Sequence, residues 1–138
     1  MSHDVNVTVT ERNGRLLAST GSAWEPKIGY SRAVRFGSQI AVTGTVGLEA
    51  DGTYKPTLAE QTRRSLTIVI AAIEALGGKA SDIVRTRIYV TDISQWQELG
   101  KVHGEFFGEI RPATTMVEVA KLIDAAALVE IEADAHVV

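Results

Sequence analysis

The 138-residue chain contains no cysteine, which excludes disulfides, thiolate metal sites and thiol nucleophiles together. It has no apolar run of transmembrane length, and its opening stretch, MSHDVNVTVTERNG, lacks a secretory pattern. It also lacks a charge excess: the net charge is −3, with acids and bases mixed along the chain. Such a balance offers no general field for nucleic acid. No internal repeat, linker or low-complexity segment interrupts it. His3, His103 and His136 are scattered and form no metal constellation. The glycines of GTVG and GGKAS do not make a phosphate loop, and no Ser-His-Asp arrangement suggests itself. What remains is an ordinary globular composition, 45% hydrophobic and 22% charged. It predicts one domain over residues 1–138, with 1–20 as an N-terminal hairpin extension, in a cytoplasmic protein without membrane, nucleic-acid or metal partners.

The pattern along the chain predicts strands, a helix, a strand, a helix and two closing strands. VNVTVTERNGRLLAS alternates around Asn13-Gly14, a dipeptide suited to the positive φ angles of a tight hairpin turn. WEPKIGYSRAVRFG reads as a loop entering a strand, and SQIAVTGTVGLEADGTY as a second strand with a turn at Asp51-Gly52. From Thr57, a capping box with Glu60 opens a helix lined by Leu66, Val69, Ile70, Ile73 and Leu76, which Gly77-Gly78 ends. DIVRTRIYVTD is a strand. Asp92 and Gln95 then open a second helix in which Trp96, Leu99, Val102 and Phe106 share a face before Gly108. This order is an α+β sheet with two helices on one face.

Side-chain alternation sorts the sheet into two faces. In the last strand Val129, Ile131, Ala133, Ala135 and Val137 point under the helices, and Glu130, Glu132, Asp134 and His136 point away. In RTRIYVT the helix side takes Thr86, Ile88 and Val90, leaving Arg85, Arg87, Tyr89 and Thr91 with the carboxylates. In the strand after Pro112, Thr115, Val117 and Val119 are expected on the helix side, with Thr114, Met116 and Glu118 on the second face. A solvated face of an antiparallel sheet commonly carries charges. Arginines and glutamates mixed with Tyr89 and Met116 fit an oligomer interface or a polar cleft better.

Three stretches, GYSRAVRFGSQIAVTG, EQTRRSLTIVIAAIEALGGKASDIVRTRIYVTDI and RPATTMVEVAKLIDAAALVEIEADA, resemble the RidA/YjgF family of reactive-intermediate deaminases, from about Gly29 to the end. The resemblance implies a chorismate-mutase-like fold, a homotrimer with small-molecule ligands in the inter-subunit clefts, and no cofactor. It implies hydrolysis of 2-imino and 2-enamino acids to 2-oxo acids and ammonia. By the same resemblance Glu130 matches the glutamate that handles water, Tyr30 the tyrosine bordering the pocket, and Thr43 with Gly44 the hydroxyl-glycine pair at its wall. In the family an arginine following Pro-Ala clamps the substrate carboxylate; here Pro112-Ala113 is followed by Thr114. Gly100 and His103 also stand where many members have asparagine and an aromatic residue.

A threonine hydroxyl carries no charge, and a charge-assisted bond is roughly twice as strong as a neutral one. Arg87 and Arg32 are therefore candidate replacement cations, with subunit salt bridges as their competing and favoured role; Arg87 is taken as a substrate-binding candidate. Glu130 reads as functional, since an unpaired glutamate is costly to bury. Glu118 and Glu132 read as partners of arginines or backbone amides at an interface. Two functions stand in competition: deamination of a small enamine or imine with Glu130 orienting water, and binding of a metabolite without chemistry. RNA cleavage ranks third on the acidic balance.

Overall fold

A computed structural model of the chain describes residues 4–138. His3 and the first three positions of the expected 1–20 extension thus lie outside the described residues. The chain forms β1 (Thr8–Arg12), β2 (Arg15–Ser19), β3 (Ala33–Phe36), β4 (Gln39–Val46), α1 (Leu58–Ala75), β5 (Ile83–Val90), α2 (Trp96–Phe107), β6 (Ala113–Glu118) and β7 (Val129–His136). A π-helical turn, Glu25–Gly29, precedes β3. The sheet is mixed, in the order β1-β2-β3-β4-β7-β5-β6, with β5 and β6 parallel and the other pairs antiparallel. Asn13 and Gly14 turn the β1–β2 hairpin at φ 53° and 75°, the positive angles that favour this dipeptide.

Helix α1 begins where its sequence says it should. The Thr57 hydroxyl accepts from the Glu60 backbone N–H, and the Glu60 carboxylate accepts from that of Thr57, so two donors left over at the helix start are satisfied reciprocally. Gly77, at φ 89°, takes the left-handed position that ends it. Leu66, Val69 and Ile73 on this helix are fully buried against Ile40, Ile88, Val129, Ile131, Ala133 and Ala135 of the sheet. Central strand β7 is thus clamped on one face and paired on both edges. Truncating Ile131, at 0% exposure, to alanine is expected to cost about 2–5 kcal/mol. That clamp fixes the direction in which Glu130 points.

Two expectations are corrected. The phase of β6 is the reverse of the one expected. In parallel pairing Thr86, Ile88 and Val90 stand beside Thr114, Met116 and Glu118, so these three share the helix side, and Met116 packs against the core. The Glu118 carboxylate accepts from the Ile93 backbone N–H at 3.1 Å, at the turn leading into α2, and so serves that turn. β6 is an edge strand with little burial on either face, so its alternation carries almost no hydrophobic signal. On α2, Leu99, Val102 and Phe107 make the buried face, while Trp96 is exposed. The helix proper begins only at Trp96, after a 3-10 turn (Ile93–Gln95) capped by Asp92.

No helix among the described residues is long and apolar enough to cross a membrane.

Candidate functional site

The site begins with an irregularity in β4. Val42 pairs with Ala133 and Thr45 with Ile131, so three steps along β4 oppose two along β7, and the extra residue forms a bulge at Thr43-Gly44. Bulges of this kind re-aim side chains beside functional sites. Here the bulge lets the Glu130 carboxylate lie against Gly44: a Cβ built on Gly44 would sit 2.7 Å from Glu130 Oε2 and 3.0 Å from its Cδ. Glycine at 44 is therefore a condition of the carboxylate's placement. Thr43 is fixed by its hydroxyl, which donates to the Ser31 carbonyl at 2.5 Å, and by its backbone N–H, which donates to the Arg32 carbonyl at 2.9 Å.

Glu130 is half-buried and makes no side-chain hydrogen bond or ion pair among the described residues. Burial pushes its carboxyl above the ordinary value; Arg32 opposes the shift and Glu132 adds to it. It faces a cavity of about 740 Å³ whose walls include Tyr30, Arg32, Thr43, Gly44 and Tyr54. A volume of that order suits a small-molecule ligand. Tyr54 is brought in by the turn at Asp51-Gly52, through a bridge between Leu48 and Tyr54. Burial, then Asp124 and Glu130, push the Tyr54 hydroxyl up to about 12, so at neutral pH it stays protonated and able to donate.

Two cations line this cavity: Arg64 is paired with Asp4, and Arg32 is the one without a carboxylate partner among the described residues. It is 8% exposed, and Nη1 donates to the Gly44 carbonyl at 2.9 Å and to Thr45 Oγ1 at 3.1 Å. Nη2 has only a long contact, 3.5 Å, to the Tyr30 hydroxyl, over whose ring the guanidinium lies at 5.6 Å. Nε is buried without a partner, and no carboxylate among the described residues comes within ion-pairing distance.

Four of the residues singled out in the sequence, Tyr30, Thr43, Gly44 and Glu130, thus meet in one cavity. The other two stand elsewhere. Arg87 Nη1 is bound to Asp134 at 2.9 Å and lies 3.5 Å from Glu132, the salt-bridging role set against its use as a ligand cation. Thr114 is on the helix side of the edge strand, where its hydroxyl meets that of Thr86 at 2.8 Å; Thr86 in turn meets His103 Nε2 at 3.0 Å. Within one chain neither Arg87 nor Thr114 lines the cavity. Sequence reasoning undervalued Arg32, because alternation cannot follow a side chain that leaves a loop and crosses a bulge. It missed Tyr54 altogether, since only the Leu48–Tyr54 bridge brings that residue in. Among the described residues no group of three or more His, Asp or Glu side chains is placed to hold a metal ion.

The mixed sheet, its two covering helices and the glutamate cavity define an α+β protein with the YjgF fold. The profile described as Endoribonuclease L-PSP matches residues 20–137, and the chain belongs to that family, also known as RidA/YjgF. The fold matches the crystal structure of a YjgF/YER057c/UK114 family member from Mycobacterium tuberculosis with a TM-score of 0.84 and 50% identity, over 89% of this chain and 99% of that one. A RutC family protein of Pyrococcus abyssi is 33% identical over 119 residues, 85% of this chain and 93% of the relative. The 2-iminobutanoate/2-iminopropanoate deaminase of Escherichia coli K12 is 34% identical over 97 residues, 67% of this chain and 76% of the enzyme.

Proposed function

We propose that this protein hydrolyses a small reactive imine or enamine to a carbonyl compound and ammonia, with Glu130 as the proton-transfer group. The observation that carries the reading is the half-buried, unpartnered Glu130 carboxylate in a cavity, with its affinity for a proton raised by burial. A carboxylate in that state moves toward the pKa at which it serves best as base and then acid near neutrality. Glu130 takes a proton from water as its oxygen bonds to the imine carbon. It returns that proton to nitrogen to give the carbinolamine, then carries the remaining hydroxyl proton to the same nitrogen as the carbon–nitrogen bond breaks, leaving C=O and releasing ammonia. Relatives named 2-iminobutanoate/2-iminopropanoate deaminase support this reaction class.

The assembly belongs to the same proposal. Glu132, Asp134, Arg87 and Tyr89 form a half-buried charged cluster on the sheet face opposite the helices. Three copies packed through that face make a homotrimer whose clefts complete the ligand sites. Light scattering at micromolar concentration should give three times the 14.8 kDa chain mass; a stable monomer would remove the trimer.

The competing reading, a trimer that binds a metabolite without chemistry, draws on Thr114, which offers no charge where the family has its carboxylate clamp. One assay separates the two. Freshly generated 2-iminobutanoate is mixed with the protein and 2-oxobutanoate release is followed against the uncatalysed rate. Acceleration supports the enzyme; binding without acceleration supports the binding module. RNA cleavage, the activity in the family's description, has little support from a chain of net charge −3.

A further inference from the structure

Arg32 poses a question that the hydrolysis of an imine does not answer. A buried guanidinium is expensive unless it is paired, and this one has no anion within ion-pairing distance among the described residues. Two of its five N–H donors are spent on holding the β4 bulge, through the Gly44 carbonyl and Thr45 Oγ1. Nε has no partner, and Nη2 holds only the 3.5 Å contact with Tyr30. The guanidinium is therefore held from behind by β4, with Nη1 spent and Nε sealed off, and Nη2 is the donor left in a wall of the cavity that Glu130 also lines. A side chain fixed in this way has little rotamer freedom left to lose on meeting a ligand, which favours binding.

We infer that Arg32 is the carboxylate-binding residue of this site, and that the ligand is a compact zwitterion of the 2-imino-acid type, with its carboxylate on Arg32 Nη2 and its nitrogen toward Glu130. The assignment rests on the proposed function for the reaction and adds to it the binding group and the substrate's charge pattern. Charge supports it from both ends. Arg32 and Glu130 line one cavity and act on each other electrostatically, yet they form no ion pair. A ligand that is negative at one end and positive at the other satisfies both without adding net charge. A charge-assisted bond from Nη2 to a carboxylate is roughly twice as strong as the neutral one a threonine hydroxyl offers. The cation at 32 can thus stand in for the one missing at 114, from the opposite side of the sequence.

The test reads binding without turnover. Calorimetry compares 2-oxobutanoate, which keeps the carboxylate, with its primary amide, which has the same shape and no charge. The wild-type protein should prefer the acid by at least about ten-fold, as expected for hydrogen bonds to a charged group. Arg32→Gln, with its melting temperature and oligomeric state recorded alongside, should bind acid and amide equally. Arg32→Lys, which keeps the charge and loses the guanidinium that β4 holds in place, should fall between them. Equal affinity for acid and amide in the wild type overturns the assignment, and so does a preference that survives in Arg32→Gln. If Arg32→Gln does not fold, the arginine Nε–H resonances of the wild-type protein decide. A shift of the Arg32 signal on adding 2-oxobutanoate but not the amide supports the assignment, and no shift at saturation overturns it. A protein that binds the acid through Arg32 and deaminates nothing upholds this inference and removes only the reaction.

Discussion

Glu130 and Glu132 stand two residues apart on the same face of β7, and their surroundings differ. Glu132 accepts from the Tyr89 hydroxyl at 3.1 Å and has Arg87 Nη1 at 3.5 Å, the same nitrogen that binds Asp134. Glu130 has no such partner, and burial holds its proton more tightly than usual. The strand positions both carboxylates equally well, because the hydrophobic residues between and beside them, Val129, Ile131 and Ala133, are all fully buried. What differs is where the side chains reach. On the regular β5 ladder Arg87 stands opposite Glu132 and Tyr89 opposite Glu130, yet Arg87 and the Tyr89 hydroxyl both serve Glu132. The Glu130 carboxylate lies instead against Gly44 of the β4 bulge, in the wall of the open cavity. A paired carboxylate contributes to the sheet, while an unpaired one retains the capacity to move a proton.

The largest effect on this contrast should come from Gly44→Ala. The new Cβ, 2.7 Å from Glu130 Oε2, forces the carboxylate to move. A displacement of about 1 Å can cost roughly 100-fold in rate. Turnover should fall by that order while the melting temperature changes little, because a half-exposed side chain can rotate away. Unchanged turnover would show that the placement of Glu130 is not critical. Next comes Arg87→Ala, which leaves Glu132 and Asp134 without their cation. In a free chain, where Arg87 is 41% exposed, the loss should be about 0–1 kcal/mol. If neighbouring subunits bury the cluster it rises to about 3–5 kcal/mol, with ligand affinity retained. Chemical denaturation together with light scattering distinguishes these two cases. Tyr89→Phe removes one hydrogen bond to Glu132 and should cost about 0.5–1.5 kcal/mol with no loss of turnover.

The smallest effect is on stability against pH. Burial holds the folded-state pKa of Glu130 above the ordinary value of a glutamate, so between those two values the folded chain binds more protons than the unfolded one. Stability should therefore decline as pH rises through that window, and Glu130→Gln should remove this component of the slope. Denaturation midpoints of the two proteins from pH 4 to 7 check the sign, and parallel curves would mean that the carboxyl is not perturbed.

Much of this architecture is written in local patterns. The capping box at Thr57 and Glu60, the Asn13-Gly14 turn and the alternation of β5 and β7 are legible because each rests on a few adjacent residues and strong burial. The phase of β6 is not legible, since an edge strand exposed on both faces leaves alternation nothing to register. Glu130, Tyr30, Thr43 and Gly44 stand out through family resemblance, and the structure brings them to one cavity. Arg32 belongs beside them only because the bulge in β4, 12 residues further on, shapes its surroundings, a relation that sequence spacing does not encode. Arg87 shares a sheet face with Glu130, but its nearest carboxylates are Asp134 and Glu132, and those hold it.

The most direct test of the central contrast is a pair of isosteric changes, Glu130→Gln and Glu132→Gln, each assayed for hydrolysis of freshly generated 2-iminobutanoate and for thermal melting. Removing a proton-transfer group typically costs about 10²–10⁴-fold in rate. Glu130→Gln should lose activity on that scale and melt at the wild-type temperature or above, since it removes an unpaired half-buried charge. Glu132→Gln should keep turnover and melt lower. Full activity in Glu130→Gln, or an equal loss in both variants, would contradict the account.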